Sequence, residues 1–300
     1  MFETDEVVNQ LFDYSKCMVD NLTKKKSQDE DIKNILYLVF AGMVSYYGYE
    51  NINDICKAFS NKFIYDSKRQ FFKYIKDKNI KVSNINDTMG TFIQRASLKN
   101  TPFGDYYNVD NTIFIFKSVF YDMIELIDTV VHEYNHLLNS LNKPIVDIDS
   151  NIYLRCGLRL TSFDEKNNPV YNYNIEEGMN VFQTMQIVNK ILYFSNFSIK
   201  DKKLADILNH IKNSDYNSKG HGYESVINLI GPLYHNSSFK SLVNSTRITG
   251  NVKTFSDYFD RKTYGGAYNE LCSSLDKFDP HYTPRSERVK VKKIINNYLS

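Results

Sequence analysis

Tryptophan is absent from this 300-residue chain, and cysteine, proline and glycine are sparse, at four, six and twelve residues. Cys17, Cys56, Cys156 and Cys272 stand far apart and form no C-x-x-C pair. Neither a cysteine metal knuckle nor a disulfide framework is expected, and the thiols are read as unbridged and buried. Excess charge is lacking too. Against 35 Asp and Glu stand 37 Lys and Arg, a net +2 at pH 7 that makes no field for a polyanion, so nucleic acid is not an expected partner. There is no long apolar run. The longest uncharged stretch, Ile35 to Tyr49, is too short to span a bilayer and carries Gly42, Ser45 and Gly48. Met1 to Glu6 is acidic where a secretory signal would be basic and then apolar. The chain as given is expected to be soluble and cytoplasmic, with signal-independent export left open.

What is present is an ordinary globular composition, 42% hydrophobic and 24% charged, in a chain long enough for one large core or two smaller ones. Residues 1–96 read as a helical N-terminal region. Val7, Val8, Leu11, Phe12, Ser15, Met18, Val19 and Leu22 make a helical stripe that stops at Lys24-Lys25-Lys26. Ile32 to Tyr47 is apolar nearly all round, the pattern of a buried helix. Asn53 is expected to cap a helix through Ile55, Phe59 and Phe63, and Asp66 or Ser67 to start another through Phe71 and Ile75. A turn-rich connection follows at 97–111. Thr112 to Phe116 then reads as a strand, whose edge would be able to pair with an extended peptide. Ile152 to Leu160 alternates as a strand does, and Thr246 to Phe255 reads as loop or strand.

The stretch most informative about chemistry is Thr129-Val130-Val131-His132-Glu133-Tyr134-Asn135-His136-Leu137-Leu138. Ile124, Ile127, Val130, Val131, Tyr134, Leu138 and Leu141 recur at three- and four-residue steps, which predicts an amphipathic helix. Asp122, Glu125 and Asp128 suit its N-terminal half, and Pro144 limits its end. On such a helix His132 and His136 lie one turn apart on one face, where two imidazoles can grip one metal ion. Glu133 stands beside them, placed to take a proton from a water. Zinc with nitrogen and oxygen donors suits this H-E-x-x-H pattern best, and a third protein ligand is then required. Asn174 and Glu177 fit a capping box at the start of a further helix, and Glu177 is equally a carboxylate held rigidly enough to bind a metal.

His132-Glu133-x-x-His136 followed 41 residues later by Glu177-Gly178 resembles the gluzincin metallopeptidases, the broad thermolysin-like class. The resemblance covers about residues 111–185. The helical patterns along the chain predict a mainly helical α+β fold, and the resemblance implies a small sheet and an active-site helix in a zincin-like domain over 97–300. It implies Zn2+ held by His132, His136 and Glu177, Glu133 as general base, and hydrolysis of a peptide or protein substrate. One position differs: Val181 stands where the class often has an acidic residue that orients a zinc histidine. Arg261-Lys262-Thr263-Tyr264 is similar to a run in the clostridial neurotoxin light chains, which implies that Arg261 and Tyr264 stabilise the transition state, with Tyr223 and His221 next in line. Two other readings stand beside this one: a zinc-binding structural or interaction module, and a metal-dependent amidase acting on a non-peptide amide. The sequence carries no signal for oligomeric state.

Overall fold

The computed structural model describes residues 4–23, 30–66, 104–107, 111–116, 122–141, 145–148, 151–162, 170–214, 216, 223–263, 265–278 and 283–300. These form a mainly helical α+β protein with two small sheets. The chain divides into two compact units, Met1–Leu137 with Gln186–Tyr216, and Leu138–Met185 with Asn217–Ser300.

In the first unit, α1 (Asp5–Thr23), α2 (Glu30–Tyr47) and α3 (Ile52–Ser60) precede three short strands, β1 (Lys62–Asp66), β2 (Gly104–Tyr107) and β3 (Thr112–Phe116). The stripe read in the first helix is its buried side, with Val8, Leu11, Phe12, Ser15 and Val19 all inside. Helix α2 is buried on every side from Ile35 to Val44, as an all-round apolar helix must be. The helix expected through Phe63 ends earlier. It begins at Ile52 and stops at Ser60, so Asn53 lies inside it rather than capping it, and Phe63 belongs to β1. Asp66 closes that strand, and the helix expected beyond it lies outside the described residues.

Strand β3 is the middle of its sheet, parallel to β1 and antiparallel to β2, and all five of its side chains are buried. Its edges are therefore both taken, and no peptide can add to it. The outer edges, among the described residues, belong to β1 and β2. Helix α4 (Met123–Leu138) follows, and its apolar face is as the spacing predicts: Ile127, Val130, Val131, Tyr134 and Leu138 are buried. The N-terminal helices support that face. The Tyr134 ring stacks on Phe59 at 4.0 Å, Phe59 meets Phe40 edge-on, and Tyr47 donates a hydrogen bond to Asn135 Oδ1 at 3.0 Å.

In the second unit, β4 (Ile145–Ile148), β5 (Asn151–Cys156), β6 (Arg159–Ser162) and β7 (Val170–Tyr171) make an antiparallel meander in sequence order. The single strand read over 152–160 is a hairpin, because Gly157 takes a left-handed turn at φ 59°. Helix α5 (Tyr173–Phe194) comes next and continues into the first unit, where α6 (Lys202–Lys212) packs with the early helices. Helices α7 (Glu224–His235), α8 (Ser237–Thr249), α9 (Val252–Thr263), α10 (Ala267–Leu275) and α11 (Arg285–Leu299) complete the second unit around an aromatic core that includes Phe239, Phe255, Phe259, Tyr268 and Tyr298. The segment read as loop or strand at 246–255 is helix on both sides of a two-residue break at Gly250 and Asn251. No helix among the described residues is long and apolar enough to cross a membrane. No disulfide joins the four cysteines, of which Cys156 and Cys272 are buried and Cys17 is exposed.

Candidate metal centre

The two histidines of α4 meet as the i, i+4 spacing requires. Their Nε2 atoms lie 3.1 Å apart, with the rings edge to face. Two neutral imidazoles in complementary tautomers share one hydrogen bond at this distance. The approach also fits two ligands of one ion: metal–nitrogen bonds of about 2.0–2.1 Å at a tetrahedral angle put the two donors roughly 3.3 Å apart. His132, Glu133 and His136 are 5%, 7% and 5% exposed. The Tyr106 ring of β2 stacks over His136 at 6.5 Å. Strand β2 also runs close over Glu133, since a methyl group placed on Gly104 would lie 3.2 Å from Glu133 Cγ and 3.0 Å from Thr129 Cγ2.

In the second unit the two neighbouring glutamates of α5 have different employment. Glu176 is fully buried and bound at both oxygens. Arg247, also fully buried, donates to it from Nε at 3.0 and 3.2 Å and from Nη2 at 2.5 Å, and the Leu158 backbone N–H donates at 2.7 Å. Arg247 also donates to Asn180 and Gln183, so Asn180 is engaged in this network. Glu177, one position on, accepts a long bond of 3.4 Å from Arg159 Nη1. Val181, the position that differs from the gluzincin pattern, is buried and apolar. Burial pulls the charge of Arg159 down, but Cys156, Glu177, Tyr173 and Glu176 outweigh it and hold the guanidinium above its ordinary pKa.

The start of α5 is capped otherwise than the sequence predicts. The helix opens at Tyr173, so Asn174 is inside it and donates to the carbonyls of Leu275 and Phe278. The cap is Asp276, whose two carboxylate oxygens accept from the backbone N–H of Asn172 at 2.8 Å and of Asn174 at 3.0 Å. Burial raises the pKa of Asp276 against the opposing effect of these bonds.

Of the remaining predicted site residues, Arg261 is exposed in the last turn of α9, and Tyr264 and His221 lie outside the described residues. Tyr223 donates from its hydroxyl to that of Tyr173 at 2.7 Å. Arg159 and Arg247 were not legible as site residues. One sits in an alternating strand pattern and the other in a stretch without helical signal, and only their distant partners give them a role. Comparison with family models, with curated proteins and with solved structures finds no match.

Proposed function

We propose that this chain is a zinc-dependent peptidase of gluzincin type with a zincin-like catalytic region. The observation that carries the reading is the 3.1 Å approach of His132 and His136 Nε2 on a buried helix face, with Glu133 between them in sequence. Glu177 is the third donor. What supports it is the match of Glu177-Gly178 to the gluzincin ligand element. Its neighbour Glu176 is the weaker choice because Arg247 and the Leu158 N–H already engage both of its oxygens. When bound, zinc supplies a Lewis acid that acidifies water and polarises a carbonyl.

The chain's own residues do the rest. Glu133 takes the proton from the attacking water and passes it to the leaving amine, the role that fits a carboxylate beside two metal-binding histidines. Burial keeps bulk water from competing for that proton. Among the described residues strand β2 is an outer strand, and it lies over Glu133, so an extended peptide added to it would run past the base. A purely structural zinc site has no use for Glu133 and would close its fourth position with protein.

The test is zinc content followed by peptide cleavage. The purified chain should hold about one zinc, and His132→Ala or His136→Ala should lose it. A protein that takes up no zinc when supplied with it overturns the reading. Glu133→Gln should keep the metal while turnover on a mixed peptide library falls by roughly 10²–10⁴-fold.

A further inference from the structure

We propose that Arg159 is a binding site for a carboxylate of the substrate, placed beside Glu177; this rests on the peptidase reading above. Three arginines lie close together in the second unit. Arg247 spends its donors on Glu176, Asn180 and Gln183, and Arg155 donates to the carbonyls of Gly157 and Arg247. Both are fully buried. Arg159 differs on each count. Its side chain keeps 16% of its surface exposed, and its one hydrogen bond is the 3.4 Å contact from Nη1 to Glu177. Its Nε–H is buried and has no hydrogen-bond partner among the described residues. An unmet donor of a charged group is destabilising, and the group cannot escape by losing its proton.

Charge balance gives the same direction. A divalent ion held by two neutral histidines and one carboxylate keeps a surplus of positive charge. Glu177 would then no longer offset Arg159 as well, and among the described residues the guanidinium would be left with Glu176, already paired to Arg247, as its nearby acidic group. A carboxylate supplied by the substrate corrects both deficits at once, because the Nε edge of a guanidinium takes a carboxylate in a two-bond fork. The underside of the group is already fixed: the Tyr173 ring lies 5.5 Å from the guanidinium carbon, and Tyr223 holds the Tyr173 hydroxyl. Residues of an extended chain are spaced by roughly 3.3–3.6 Å. A carboxylate bound next to Glu177 therefore belongs to the residue flanking the scissile bond, either as its acidic side chain or as the chain terminus.

The experiment uses the zinc-loaded full chain and three probes: N-acetylglutamate amide, with only a side-chain carboxylate; N-acetylglutamine, with only a terminal one; and N-acetylglutamine amide, with neither. Calorimetric titration should show one of the first two binding and the third not, which also identifies the source of the carboxylate. Arg159→Gln should weaken that binding on the order of tenfold or more, the loss of one charge-assisted pair, with zinc content unchanged. Arg159→Lys, which keeps the charge but not the fork, should fall between the two and stands in if the glutamine variant does not fold. In cleavage of matched peptides, the loss should appear in KM for the carboxylate substrate and leave amide substrates unaffected. If zinc is bound and the carboxylate probes bind Arg159→Gln as well as wild type, the metal rather than Arg159 holds them and this inference falls alone. If no zinc is bound, the peptidase reading falls first and takes this one with it.

Discussion

Adjacent glutamates show how far a single position matters here. Glu177→Ala should release zinc, because it removes the proposed third ligand, whose contact with Arg159 is long at 3.4 Å. Glu176→Ala should instead cost stability, on the order of 3–5 kcal/mol, since it strands the fully buried Arg247 without its counter-charge. Denaturant unfolding of both variants, with zinc analysis of the folded protein, separates the roles. If Glu176→Ala unfolds like wild type and has lost its zinc, the ligand assignment is wrong by one residue. Helix spacing cannot make this distinction, because both residues sit in the first turns of α5 and either can face inward. The distinction comes from Arg247, 71 residues away in sequence.

At the scale of elements, strand β2 and the start of α5 hold the proposed site in place. Gly104 is where β2 comes closest to α4. A Cβ there would meet Ile115 Cδ1 at 2.8 Å and Thr129 Cγ2 at 3.0 Å before reaching Glu133. Gly104→Ala should therefore push the strand and the base apart, lowering turnover by up to about 10²-fold while zinc stays bound. Full activity in that variant would mean that Glu133 does not depend on β2.

Two aspartates at helix starts should respond to pH with opposite signs. Asp201 caps α6 by accepting from Leu204 N–H at 3.1 Å and pairs with Lys16. Burial opposes its charge, but the bonds from Lys16 and Leu204 prevail and lower its pKa. Its contribution is present above its unfolded pKa of about 3.9 and is lost as pH falls through the native value. Asp276 has a raised pKa, chiefly from burial. The native state holds that proton more tightly than the unfolded chain does. Its contribution is therefore complete below about pH 3.9 and is lost as pH rises through the native value. Asp201→Asn should flatten the acid limb of a stability–pH curve. Asp276→Ala should remove the opposing slope and cost about 1–3 kcal/mol by taking the acceptor from the Asn172 and Asn174 N–H groups at the start of α5. Equal slopes in wild type and variant would exclude either assignment.

For the whole molecule, the proposed metal is also a stabilising ligand. Zinc that binds the folded chain and not the unfolded one adds about 2.7 kcal/mol at a hundredfold excess over its Kd. A chelator should lower Tm measurably, and restored zinc should bring it back. His136→Ala should melt at one temperature whether or not zinc is present. A wild-type Tm indifferent to both treatments would mean that the histidine pair does not hold the ion. The net charge of +2 gives the molecule no strong field of its own, so the local arrangement of charge around Glu177 and Arg159 is what would select an anionic substrate group.

What the sequence determined by itself is the meeting of His132 and His136. An i, i+4 pair on a helix is set by chain geometry within one turn, and the apolar stripe through Ile127, Val131 and Tyr134 decides which way that helix faces. The buried character of α2 and the mainly helical class were legible for the same local reason. Tertiary structure decided the rest. Strand β3 is central because β1 and β2 flank it, which the residues 112–116 do not record. Phe63 left its expected helix for β1 because pairing with Ile113 of β3 gave it a place in the sheet. The cap of α5 comes from Asp276, about a hundred residues on, in place of the nearby Asn174. Arg247 occupies Glu176, and Arg159 meets Glu177 while its buried Nε–H has no partner among the described residues. These are pairings between positions far apart in the chain, made only once the chain has folded, so no local period carries them.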